Sequence, residues 1–322
     1  MTPIRVETVA SLRGALSTSF GLLGWSDHDP PLGREELHRQ GLPWAPYVGL
    51  VAIDEDAVLA SVLVERHPWT GPTGTTRIAG VTGVVTRPDA TGQGLATRLL
   101  RAVHRREAAA GIGLALLWTR RTWGAHRLYE RLGYRDVYSA PSAVRAPRSA
   151  AVRRPGPAYR WRRATAGDAA HLERLHGAAS EDRFGFTPRY PGSFRLRFVF
   201  GRRKPADYHL LFLGPRAVGY FYATEGQWYV TVVEGVLRGR AHAATFLDGI
   251  EAFARHRWLG FGSTTLASDL RPELLDRGFD YVSSSHATLM ARPLSSTRES
   301  SVESVRGVVT DPRFCCHRGD VF

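Results

Sequence analysis

Cysteine is nearly absent from this chain of 322 residues: the two present, Cys315 and Cys316, are neighbours. Adjacent cysteines rarely bridge and make no zinc spacing. Neither a disulfide framework nor a cysteine-built metal site is expected, and a reducing, cytoplasmic location is. Lysine is rarer still, with Lys204 the single instance, so arginine carries the formal net charge of +13. The arginines are scattered apart from the run between Arg145 and Arg163. That pattern reads as a mildly basic surface suited to an anionic ligand, and nucleic acid is not an expected partner. Also missing is any apolar stretch near the ~18 residues of a membrane span. Met1 to Arg13 lacks the basic start and apolar run of a secretory leader. A membrane partner is therefore not expected, while a homo-oligomer stays open. Hydrophobic residues make up 43% of the chain. With ~100–200 residues per domain as the prior, that is material for two cores.

The apolar pattern divides accordingly. Ile4–Ala15 reads as a strand entering a helix. Tyr47–Ile53 and Ala57–Arg66 read as strands joined at Asp54-Glu55-Asp56, and Pro68–Thr75 reads as a loop. Ile78–Thr86 is a β-branched strand, and Gln93–Ala110 a helix with Leu95, Leu99, Ala102 and Val103 on one face. Leu114–Thr119 reads as a buried strand, Gly124–Arg131 as a short helix closed by Gly133, and Tyr134–Tyr138 as the start of another strand. Ala140–Pro157, rich in Pro, Ala, Ser and Arg, reads as a linker. The order then repeats: strand Tyr159–Ala164, a helix from Asp168 to Ala178, strands Tyr208–Leu213, Ala217–Ala223 and Trp228–Val233, helix Ala241–Trp258, strand Ser263–Ala267, helix Pro272–Arg277 and a strand over Phe279–Met290. Arg131-Leu132-Gly133-Tyr134 matches Asp276-Arg277-Gly278-Phe279 in register. The expected architecture is α+β, a three-layer arrangement of mostly antiparallel mixed sheet flanked by helices, present twice. Residues 1–140 form the first domain, 141–157 the linker, 158–293 the second domain and 294–322 a polar tail.

The informative segment is Gly83-Val84-Val85-Thr86-Arg87-Pro88-Asp89-Ala90-Thr91-Gly92-Gln93-Gly94-Leu95-Ala96-Thr97. A strand runs through a Gly-rich turn into an amphipathic helix. Such a turn leaves unpaired N–H groups at a helix N-terminus, where the dipole favours an anion, and glycine allows close backbone approach. The chemistry fits a phosphate or pyrophosphate. The segment resembles motif A of the GNAT N-acetyltransferases, whose Q/R-x-x-G-x-G/A turn holds the pyrophosphate of acetyl-CoA. Gly94 and Ala96 match its small positions, while Thr91 replaces the usual Gln or Arg. The resemblance implies acetyl-CoA as co-substrate, held by Thr91, Gly92, Gln93, Gly94, Leu95, Ala96 and Thr97, with the backbone of Val84, Val85 and Thr86 on the pantetheine arm. A second segment, Thr122-Trp123-Gly124-Ala125-His126-Arg127-Leu128-Tyr129-Glu130-Arg131-Leu132-Gly133-Tyr134, is similar to the family's N-x-x-A-x-x-L-Y-x-x-x-G-F/Y signature. Here Thr122 stands for Asn, and Ala125 and Tyr129 match. The resemblance implies that Thr122 and Ala125 border the cofactor and that Tyr129 protonates the departing sulfur. A phenol of pKa about 10 suits that task.

The second copy lacks a Gly-x-Gly/Ala turn after Trp228–Val233, and Leu274 stands in the position of Tyr129. It reads as a GNAT-like domain without a cofactor site. A working half followed by a degenerate one resembles the enhanced-intracellular-survival (Eis) acetyltransferases, without their third domain. The resemblance implies direct transfer of an acetyl group to a primary amine of a small molecule, or of a protein, in a ternary complex. The alternatives are a mycothiol-synthase-like transferase and a non-catalytic acyl-CoA-binding module. Glu65, Asp27, His67 and His126 are candidate bases, although a water relay would also serve. Trp25, Trp44, Trp69 and Trp123 are candidate walls for the acceptor.

Overall fold

The computed structural model describes residues 5–8, 47–55, 57–148, 158–181, 183–185, 191–199, 203–262, 264–297 and 301–314. Two compact units emerge. The first comprises residues 1–139, 285–312 and 321–322, and the second residues 140–284 and 313–320.

In the first unit, β1 (Arg5–Thr8), β2 (Tyr47–Asp54), β3 (Ala57–Gly71) and β4 (Gly74–Thr86) form an antiparallel meander. Helix α1 (Leu95–Ala109) carries the chain over to β5 (Leu114–Thr119), which lies parallel to β4. Helix α2 (Gly124–Arg131) leads into β6 (Arg135–Arg145). Residues 288–293 of a late strand, β12 (Asp280–Pro293), pair antiparallel with β5. Core residues from β2 to β5 close on Leu95, Leu99, Leu100 and Val103 of α1 and on Tyr129 of α2. Glu107 on the same face of α1 is 1% exposed and takes a two-pronged ion pair from Arg66 of β3, at 2.7 and 3.1 Å.

The second unit repeats this order. Its meander is β7 (Tyr159–Arg163), β8 (Tyr208–Leu213), β9 (Arg216–Glu225) and β10 (Tyr229–Leu237). Helices α3 (Ala169–Ala178) and α4 (Ser193–Val199) lie between β7 and β8 in sequence. Helix α5 (Ala243–Ala254) crosses to β11 (Trp258–Phe261), parallel to β10, and residues 143–145 of β6 pair antiparallel with β11. Helices α6 (Thr264–Asp269) and α7 (Arg271–Asp276) follow. The mixed, mostly antiparallel α+β architecture expected from the sequence is thus present in both units.

Several boundaries differ from the sequence reading. β3 and β4 extend through the expected loop at 68–75, because Pro68 sits beyond the reach of β2, whose last partner is Glu65. A proline tolerates an unpaired edge, since it has no N–H to lose. The expected helix start at Gln93 moves to Leu95, since Gly94 is left-handed at φ 72°. The expected linker at 141–157 begins inside β6, which runs to Arg145. Residues 285–293, assigned to the second domain, count with the first unit. The expected strand at 263–267 lies where α6 begins, and the strand is Trp258–Phe261; Arg255, at φ 50°, stops α5 three residues before it. In the tail, Ser301 caps α8 (Val302–Thr310), which buries Val305, Val308 and Val309. The expected helix after β1 lies outside the described residues. Among the described residues no helix is long and apolar enough to cross a membrane, and no group of His, Cys, Asp or Glu is placed to hold a metal ion.

Candidate active site

The site begins with a fault in a strand. Along the β3–β4 ladder Leu63 faces Thr82, and the next pairing is Ser61 with Val85. β4 therefore spends an extra residue and bulges, which frees backbone groups from the ladder. Gly83 sits in the bulge at φ 54°, and a Cβ there would lie 2.8 Å from Leu63. Both the backbone and the packing therefore call for glycine. The Ser61 hydroxyl donates to the Gly83 carbonyl at 3.0 Å and pins the distortion. Beside it, β4 and β5 pair only at Ala79–Ala115 and Gly80–Leu116. Each strand continues past that point without pairing the other, leaving a wedge between them.

At the end of β4 a short 3₁₀ turn, Pro88–Ala90, redirects the chain. Arg87 clasps Asp89 at 2.6 and 2.7 Å, and each holds the other's pKa toward its charged form. Thr91 donates its hydroxyl to the Pro88 carbonyl at 2.7 Å. Gly92 and Gly94 follow at φ 82° and 72°, with no atom within 4 Å of where a Cβ would stand. The turn is thus open. Helix α1 starts on Gly94 with no side-chain cap and no acidic residue in its first turn. Its first N–H groups carry the positive end of the helix dipole without a protein acceptor from a side chain. Thr91, Gly92, Gln93 and Gly94 are exposed, Ala96 and Thr97 half-buried, and Leu95 buried.

Tyr129 lies on α2, which ends on Gly133 at φ 89°. Its ring meets Tyr134 edge-on at 5.8 Å. Behind it the Tyr134 hydroxyl shares a 2.9 Å hydrogen bond with Nε2 of His104. Burial pushes Tyr134 up and, with the charge of Arg292, depresses His104 to about 3. Tyr129 itself is 7% exposed, and burial raises its phenol to about 12. Val84, Leu95, Ala125 and Tyr129 all join one apolar cluster, which brings the two sequence motifs together. Thr122 is exposed in the loop before α2 and lies outside that cluster. Val85 and Thr86 are half-buried beyond the bulge.

Of the candidate bases, Glu65 and His67 are partners on β3, with Oε2 and Nε2 3.2 Å apart. His126 is held by Asp136 at 3.0 Å and Glu130 at 3.5 Å. Trp69 is buried, whereas Trp123 is 54% exposed with Arg120 stacked 5.1 Å from its ring. Asp27, Trp25 and Trp44 lie outside the described residues. The sequence reading missed Ser61, whose role depends on a register that no local pattern announces.

The second unit keeps the bulge and loses the rest. Along β9–β10, Val232 faces Ala223 and the next pair is Glu234 with Tyr222. Glu234, fully buried there, is held by Arg203 at 2.6 Å and by the Tyr220 hydroxyl at 2.9 Å. β10 runs to Leu237, and residues 238–242 lead from it into α5 where residues 87–94 lead from β4 into α1. Arg240, ahead of α5, forms a two-pronged pair with Glu273 of α7, and Leu274 beside it is buried.

The fold that holds this bulged strand, wedge and open glycine turn is the GNAT fold of solved structures similar to the chain. Residues 24–137 match the family model described as an acetyltransferase (GNAT) domain. No curated protein matches the sequence. Solved structures similar to the chain include an Enterococcus faecalis V583 protein of unknown function described as a probable N-acyltransferase (15% identity, 91% of this chain and 73% of that one, TM-score 0.63). Another is Eis1 from Mycobacterium abscessus (18% identity, 91% and 74%, TM-score 0.62). A third is a tandem GNAT protein from the clavulanic acid biosynthesis pathway (11% identity, 92% and 100%, TM-score 0.50). These likenesses are in fold, and they include tandem arrangements like that of this chain.

Proposed function

We propose that the first unit transfers an acetyl group from acetyl-CoA to a primary amine. The observation that carries this reading is the open turn of Gly92 and Gly94 at the uncapped head of α1, beside a bulged β4. The fit is chemical. Backbone N–H groups from Gly92 to Thr97 suit a pyrophosphate, and a side chain at either glycine would both strain the turn and fill the cradle. Thr91 has its proton engaged with Pro88, so it offers only its oxygen lone pairs, and the backbone does the anion binding. Past the bulge, N–H and C=O groups of Val84, Val85 and Thr86 that β3 does not use would bond an extended amide arm, and an N–H among them would polarise an acyl carbonyl.

Tyr129 faces the same cluster with a protonated phenol. Burial holds the phenol near 12, above the range of an ordinary thiol, so full proton transfer to the sulfur is uphill. Tyr129 therefore acts by donating a hydrogen bond to the sulfur as negative charge builds there. The test is thiol release from acetyl-CoA by the purified chain across a panel of polyamines, amino sugars and arylamines. Release that depends on one amine class supports the reading and identifies the acceptor. Acetyl-CoA binding without release from any amine would leave a binding module instead.

A further inference from the structure

Helix α1 has an outer face that the cofactor turn does not use. At 3.6 residues per turn, Arg98, Arg101 and Arg105 fall within about 60° of arc on the side away from the core, along roughly 10 Å of helix. All three are exposed. Beside them stand Ala102 and Ala109, small enough to let a partner approach the helix closely. The stripe works against the helix that carries it. Like charges one turn apart repel, and Arg98 lies in the opening turn, at the positive end of the dipole. No acid relieves this. The first turn of α1 has no acidic residue, and Glu107, the single acid of the helix, turns inward to Arg66. None of the three arginines has an ion-pair partner among the described residues. The chain's preference for arginine over lysine accounts for the residue type but not for the missing acids. Helix α5, at the same station of the second unit, has no arginine, and its acids Asp248 and Glu251 are taken by Arg277 and Arg145. Uncompensated positive charge is thus confined to the helix whose head is the open glycine turn.

Resting on the transferase reading above, we propose that the stripe docks an acidic helix of an acyl carrier, a small protein that bears the acyl-pantetheine arm on a serine through one phosphate. The shape of the stripe selects this partner. It is one side chain wide and two turns long, and acids at turn spacing on a helix laid alongside would meet each arginine in turn. A lipid surface is broad and calls for aromatic anchors, which the outer face of α1 lacks. The carrier's phosphate then rests on the turn of Gly92 and Gly94, and its arm enters the wedge between β4 and β5. The neutral amine nitrogen attacks the thioester carbonyl, the C–N bond forms and the C–S bond breaks. One nitrogen proton passes to the sulfur, and the carrier leaves with a free thiol. Acetyl-CoA presents the same arm without the protein and is the smaller donor, leaving the stripe unused.

The experiment gives the full chain three donors: a bacterial acyl carrier protein charged with acetyl-phosphopantetheine, acetyl-CoA and acetyl-dephospho-CoA. Thiol release is followed with the best amine of the panel, at low salt and at about 0.5 M salt. Fluorescence anisotropy measures the binding of the labelled carrier separately. At low salt kcat/KM for the charged carrier should exceed that for acetyl-CoA about tenfold or more, and the advantage should vanish at high salt. Arg101→Glu combined with Arg105→Glu should lower kcat/KM for the carrier about 30-fold and weaken its binding in step, with acetyl-CoA changed less than twofold. Arg101→Lys with Arg105→Lys, which keeps the charge, should retain most of the parent efficiency. An equal loss on carrier and acetyl-CoA overturns the proposal. So does a loss on acetyl-CoA that spares acetyl-dephospho-CoA, which would assign the arginines to the nucleotide's own phosphate. Binding of RNA or anionic vesicles through these arginines, with no carrier bound, overturns it as well. Carrier bound through the arginines without thiol release from any donor upholds the docking surface and overturns the transferase reading instead.

Discussion

Tyr129 shows how burial reshapes a role that sequence alone leaves open. An exposed phenol is a fair acid for a thiolate, but the Tyr129 ring lies in a cluster with Val84 and Leu95, and burial raises its pKa to about 12. The sign is clear: a raised pKa keeps the phenol neutral, so its hydrogen bond is available throughout the physiological range. Activity should therefore show no falling limb assignable to Tyr129 below about pH 11. Replacing Tyr129 with Phe removes the donor while keeping the ring. Steady-state kinetics should show kcat reduced about 10- to 100-fold, with the KM for acetyl-CoA changed less than threefold. An unchanged kcat would remove Tyr129 from the mechanism.

At the scale of the element, the turn and helix α1 form one device. Gly94 fixes where α1 begins, and the helix is anchored from below by Arg66 on Glu107. Gly94→Ala puts a Cβ into open space but at φ 72°, a region that costs roughly 1–2 kcal/mol for a non-glycine residue. The turn should relax away from its open form, weakening acetyl-CoA binding about tenfold by calorimetry while the thermal midpoint falls only a few degrees. Arg66→Ala should behave in the opposite way. It strands a buried carboxylate, so denaturant unfolding should report a loss of about 3–5 kcal/mol. Much of this device was legible in the sequence, because Gly92, Gly94 and the apolar face from Leu95 to Val103 are local signals. The Gly83 bulge, the β3–β4 extension past Pro68 and the passage of residues 285–293 into the first unit were not. Each depends on which strand lies alongside, and no local pattern carries that information. The α8 helix escaped notice because nine residues with three buried valines give too short a period to stand out in a polar tail.

At the scale of the whole molecule, two units share one plan, and among the described residues only the first has the open glycine turn and uncapped helix head on which the proposed cofactor reading rests. The shared bulge marks common architecture, so a bulge alone does not make a site. In the second unit the space after the bulge is closed chemically. Glu234 is a buried negative charge, and although Arg203 balances it, an incoming anionic ligand would have to break that pair. The turn ahead of α5 has a single glycine with positive φ, Gly239, and Arg240 beside it is spent on Glu273. Leu274 supplies no hydroxyl to a leaving sulfur. Calorimetric titration should therefore give one acetyl-CoA per chain. Gly94→Ala should weaken that single event, with no second, unaffected one uncovered behind it. A stoichiometry of two, or a residual site of parent affinity in the Gly94 variant, would mean that the second unit binds the cofactor by a surface other than the turn and wedge that serve the first.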